Sequence, residues 1–95
     1  MLKRHEILQG VTAIVAREAG MHDASAIAAA TRLLYDLDGF PICLLRVWAG
    51  LEDRFGIGFS MIELTAYGHR DGLTVGDLVD AVAGKLQLQP AEVAA

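Results

Sequence analysis

The chain has 95 residues, 54% of them hydrophobic, with ten glycines, two prolines and a single cysteine. That length and composition fit one small globular domain with one core, and they exclude a disordered chain and an internal disulfide framework. Eight basic residues against twelve acidic ones give a net charge of −4, which argues against a general nucleic-acid role, since that usually needs a basic face. No apolar run reaches bilayer-spanning length, and Lys3, Arg4, His5 and Glu6 are followed by mixed residues rather than a signal-peptide core. A cytoplasmic protein is expected, with neither membrane nor nucleic acid as partner.

The first helix is predicted over residues 5–19, where Ile7, Leu8, Val11, Ile14 and Val15 recur at helical spacing and Gly20 supplies a stop. Asp23 or Ser25 is placed to cap a short turn through the alanine-rich stretch 26–30. Residues 31–37 read as a partly buried connection with Leu33, Leu34 and Leu37 facing inward.

A second long helix is predicted over 39–55, with Asp38 as N-cap and Pro41 in the first turn, where its missing N–H costs nothing. Its expected core stripe is Ile42, Leu45, Trp48, Leu51 and Phe55, and Gly56 and Gly58 end it. Ser60 and Glu63 have capping-box spacing, which predicts a short third helix over 61–67 and then a polar loop over 68–72. Thr74 and Asp77 repeat a similar signal. Val75, Leu78, Val79, Val82 and Leu86 make the last amphipathic helix, and the tail 87–95, with Pro90, is expected to fray. No segment alternates like a strand, so the expected architecture is one domain, an all-α bundle of three long helices and one short helix with its core over 5–86.

Three blocks carry a family resemblance. Residues 31–37 (Thr-Arg-Leu-Leu-Tyr-Asp-Leu), 51–57 (Leu-Glu-Asp-Arg-Phe-Gly-Ile) and 73–78 (Leu-Thr-Val-Gly-Asp-Leu) resemble the connection, the end of the second helix and the start of the last helix of acyl and peptidyl carrier proteins. The third block sits a few residues late, so the loop around the third helix is longer here. In that family a serine in an Asp-Ser-Leu triplet at the start of the second helix is esterified to 4′-phosphopantetheine, whose phosphate benefits from the helix N-terminus.

The family spacing, ten residues back from Leu51, falls on Pro41, within Phe40-Pro41-Ile42. Proline has no hydroxyl, so the resemblance combined with this substitution implies a carrier-like domain with no 4′-phosphopantetheine and no other cofactor. A register starting at Asp38 supplies no hydroxyl either.

The expected function is therefore that of a non-enzymatic interaction or scaffold module linked to fatty-acid or polyketide-type metabolism. Its partner would be an acyl-transfer or other biosynthetic enzyme, or a second copy of the chain. The partner-binding candidates on the second helix are Phe40, Cys43, Leu44, Arg46 and Val47, an apolar face on which Arg46 reverses the acidic sign the family shows there. Burial of some of these beneath the third-helix loop is the alternative.

Cys43 lies near a helix N-terminus, which can lower a thiol pKa, but a small apolar packing residue is the simpler reading. His5, His22, His69 and Cys43 lack metal-binding spacing, so no metal is expected. No catalytic pair, nucleophile elbow or phosphate loop is evident. Glu52, Asp53, Asp77 and Asp80 read as caps or solvated faces. Two other functions stay open: a working carrier that uses an atypical residue such as Ser60, and a small regulatory or DNA-binding domain whose last helix offers only Lys85 to phosphate.

Overall fold

A computed structural model describes residues 2–20, 24–33, 44–68 and 72–94. The described elements are α1 (Arg4–Glu18), a short 3-10 turn (Ala24–Ala26), α2 (Leu44–Phe55), α3 (Met61–Gly68) and α4 (Val75–Ala94). Among the described residues there is no β-strand, and the fold is all-α.

α1 starts where the Glu6 carboxylate accepts the Lys3 N–H at 3.0 Å, half of a capping box. It ends at Gly20, whose φ of +72° is the left-handed conformation that glycine adopts without strain. Its inward face is Ile7, Val11, Ile14 and Val15, as the spacing predicts, and Gly10 and Ala16 are buried beside them. The close approach of α2 explains the glycine. A Cβ on Gly10 would stand 2.7 Å from Phe55 Cζ, and one on Gly50 would stand 3.0 Å from Ile14 Cγ2. Two glycines, one per helix, let the backbones of α1 and α2 come together.

The alanine-rich stretch forms less helix than its composition invites. The 3-10 turn ends at Ala26, and Thr31 closes the next turn: its Oγ1 accepts the Ala28 N–H at 2.9 Å. Alanine's intrinsic preference is too weak to nucleate a helix in so few residues.

The chain then runs antiparallel to the segment leading into α4. Leu33 N–H donates to Leu73 O at 3.0 Å, Val75 N–H to Thr31 O at 3.0 Å, and Gly76 N–H to Ala29 O at 2.8 Å. This short ladder pins the start of α4 to the connection and seals Leu33 and Leu73 into the core. Leu34 and Leu37, expected to face inward, lie outside the described residues, as does the predicted cap Asp23.

Both internal capping boxes form. Ser60 Oγ accepts the Glu63 N–H at 3.1 Å while the Glu63 carboxylate accepts the Ser60 N–H at 3.0 Å. At α4, Thr74 Oγ1 accepts the Asp77 N–H at 3.2 Å and the Asp77 carboxylate accepts the Thr74 N–H at 2.9 Å. Each box satisfies two backbone donors that the first helical turn would leave unpaired.

α4 buries Val75, Leu78, Val79, Ala81 and Val82 against α1 and α2. Its helical backbone extends over the tail as well, through Pro90 to Ala94. Proline removes one N–H donor, here the one that would reach the Leu86 carbonyl, yet the residues around it are mostly good helix formers.

One correction concerns which side of α2 faces the core. Leu44, Val47, Trp48 and Leu51 are buried and Phe55 packs against them, whereas Leu45, assigned to the core stripe, is 71% exposed. Residues 44, 47, 48, 51 and 55 follow the i, i+3, i+4, i+7, i+11 pattern and converge on one line of the helix. Leu45 sits about 100° away from that line.

Candidate interaction surface

The attachment-site position of the resembled family, Pro41, lies outside the described residues, together with Phe40, Ile42 and Cys43. Of the remaining partner-binding candidates, Leu44 and Val47 are core residues, at 8% and 0% exposure, and cannot form a docking face. Arg46 is exposed. Among the described members of the face expected on α2, the helix turns the two apolar ones inward and leaves the cation outside.

Exposed apolar side chains occur elsewhere. α3 begins with Met61 and Ile62, which are 75% and 83% exposed. Together with Thr65 and Ala66 they line a shallow, open surface groove. On an eight-residue helix, positions 61, 62, 65 and 66 share one face at helical spacing. The opposite face, carrying Glu63, Leu64 and Tyr67, holds α3 onto the bundle.

That attachment is built from three kinds of contact. The Trp48 ring meets Phe59 edge-on with centroids 4.8 Å apart and lies 5.2 Å from Tyr67. Lys85 Nζ donates to Glu63 Oε1 at 2.8 Å and sits 5.6 Å from the Phe59 ring centre, within cation–π range. Glu52 Oε2 accepts the Phe59 N–H at 2.8 Å, tying the loop before α3 to α2. Glu52, read from the sequence as a cap or a solvated face, thus holds a loop N–H from within α2. The Lys85 ammonium, together with the Ser60 backbone N–H, holds the Glu63 carboxyl below its ordinary pKa, because both stabilise the charged form.

Leu45 lies on the same flank. It precedes Glu52 by seven residues, two helical turns, and so shares the side of α2 that Glu52 turns toward Phe59 and α3. Exposed apolar residues thus occur on α3 and, at Leu45, on α2. The sequence signal for the α3 face was available: Met61-Ile62 directly follows a capping-box serine, where the first helical turn is open to solvent.

The sequence-level candidates for chemistry remain dispersed. His5 is exposed on the first turn of α1, while His22 and His69 lie outside the described residues. Among the described residues no group of His, Cys, Asp and Glu side chains is placed to hold a metal ion, and no helix is long and apolar enough to cross a membrane. Ser60 Oγ is the acceptor of the α3 cap, and Asp77 is the acceptor of the α4 cap. Asp80 pairs with Arg4 at 2.7 Å between two exposed side chains, an arrangement that contributes little to stability.

Comparison with known proteins finds no family model that matches the chain and no curated protein that matches it.

Proposed function

We propose that this chain is a carrier-protein-like domain that carries no prosthetic arm and works by binding a protein partner, an enzyme of acyl or polyketide-type metabolism. The observation that carries the binding part is the outward apolar face of α3, with Met61 and Ile62 three-quarters or more exposed and outside the core that the described residues form. Solvent exposure of two large adjacent apolar side chains on a well-capped helix is unfavourable in isolation and is relieved by a partner. The carrier part rests on the sequence blocks. Their apolar anchors Leu33, Leu51, Ile57, Leu73, Val75 and Leu78 are all core residues, which is the role the resemblance gives them.

The missing hydroxyl at Pro41 motivates a role without acyl transfer. The competing reading, a carrier attached through Ser60, would have to modify an oxygen that already caps α3. A DNA-binding role gains little, since Lys85, the basic residue of α4, is paired with Glu63.

The binding part is tested by affinity capture with the wild-type chain and with a Met61→Ser/Ile62→Ser variant as baits, both shown to be folded by circular dichroism. A biosynthetic enzyme retained by the wild type and lost from the variant is expected. The same proteins retained by both baits would contradict the assignment of this face.

A further inference from the structure

The seam between α1 and α2 carries an arginine row that the reading above does not use. The two helices run antiparallel: Gly10 meets Phe55 and Arg54, while Gly50 meets Ile14 and Arg17. Arg54 reaches from α2 toward α1, its Nε 3.0 Å from where a Cβ on Gly10 would stand. Arg17 reaches the other way, a terminal guanidinium nitrogen 3.2 Å from where a Cβ on Gly50 would stand. The glycines that permit the close crossing therefore also make room for guanidinium groups from the opposite helix.

Positions 46, 50 and 54 follow one another at i+4 along a single flank of α2. Four residues rise about 6 Å. By helix position, Arg46, the Arg17 guanidinium beside Gly50, and Arg54 thus follow one another along this flank at roughly one-turn spacing. All three are exposed. Arg17 engages Glu18 through Nε at 3.2 Å, which leaves its terminal nitrogens beside Gly50. Among the described residues neither Arg46 nor Arg54 is in an ion pair, and Arg54 has the Phe55 ring 6.0 Å away. This concentrates positive charge on one seam of a chain whose net charge is −4.

We infer that this seam docks an acidic helix of another protein, with carboxylates at i, i+4 and i+8 that match the arginine spacing. Guanidinium forks bind planar carboxylates in bidentate fashion, and a row at one-turn intervals meets carboxylates at one-turn intervals in a single register. Glu18 and Asp53, beside Arg17 and Arg54 in sequence, and the negative charge of the whole chain disfavour a long uniform polyanion such as a nucleic acid. The inference depends on neither the α3 face nor the carrier resemblance.

The test is an NMR titration of isotope-labelled protein at low salt, read at the arginine Nε–Hε resonances. One probe is an alanine-based helical peptide with glutamates at i, i+4 and i+8. The other is an isomer with the same glutamates distributed around the helix. Saturable shifts at Arg17, Arg46 and Arg54 are expected with the first peptide, and binding about tenfold weaker with the isomer. Arg46→Gln and Arg54→Gln, both surface changes, should each weaken the first peptide several-fold, whereas Arg4→Gln, whose arginine is paired with Asp80, should not. Equal response to both peptides, unchanged binding by the Arg46 and Arg54 variants, or tighter binding of a short single-stranded RNA would overturn the inference. Either result leaves the capture experiment on Met61 and Ile62 unaffected.

Discussion

The same substitution at two glycines should move stability in opposite directions. Gly10 and Gly84 both lie inside helices, so replacing either with alanine gains about 0.8–1 kcal/mol of intrinsic helix preference. At Gly84 a new Cβ meets nothing within 4 Å. The gain should be realised there, and for a domain of this size about 1 kcal/mol raises Tm by roughly 4–8 °C. At Gly10 the new Cβ would stand 2.7 Å from Phe55 Cζ and 3.0 Å from Arg54 Nε. Arg54 is exposed and can swing aside, but Phe55 is packed against the core, so the ring or the helix must shift.

Overpacking of this kind costs about 1–3 kcal/mol, which exceeds the helix gain over most of that range. The net expectation for Gly10→Ala is a loss of about 1 kcal/mol, and a Tm gap of roughly 10 °C between the two variants. Thermal and urea unfolding followed by far-ultraviolet circular dichroism measure both. Equal stabilisation by the two substitutions would refute the close α1–α2 crossing at Gly10, and with it the geometry of the arginine row.

Other expectations follow from the packing. Leu51→Ala, at a fully buried position, should cost about 2–5 kcal/mol. Leu45→Ala, on the exposed flank of the same helix, should stay within about 0.5 kcal/mol, and denaturant titrations showing the reverse order would restore the other α2 register. Acid should weaken the attachment of α3. The Glu63 carboxyl has a lower pKa in the folded chain than in the unfolded one, because Lys85 and the Ser60 N–H favour its charge. Its stabilising contribution is therefore complete above the unfolded carboxylate range and disappears as pH falls through the lowered folded value. Glu63→Gln should flatten the acid limb of a stability–pH profile, and an unchanged limb would show that this pairing is not coupled to folding.

What was legible in the sequence was local. The Ser60–Glu63 and Thr74–Asp77 boxes depend on residues three apart, and the structure forms both. The α1 stripe was legible because its apolar residues form a single series. α2 was harder because Ile42, Leu44, Leu45, Val47, Trp48 and Leu51 contain two overlapping helical series. Only the position of α1 and α4 selects the one through Leu44 and Val47. The roles of Gly10 and Gly50 belong to a contact between segments some forty residues apart, which no local pattern encodes. The same holds for the ladder joining residues 29–33 to 73–76.

The central claim, a carrier-like domain without its arm, is tested most directly by the intact mass of the chain after co-expression with a broad-specificity phosphopantetheinyl transferase. The account expects the mass given by the sequence alone. An increase equal to the 4′-phosphopantetheine arm would contradict it, and loss of that increase in Ser60→Ala would place the attachment at the α3 cap.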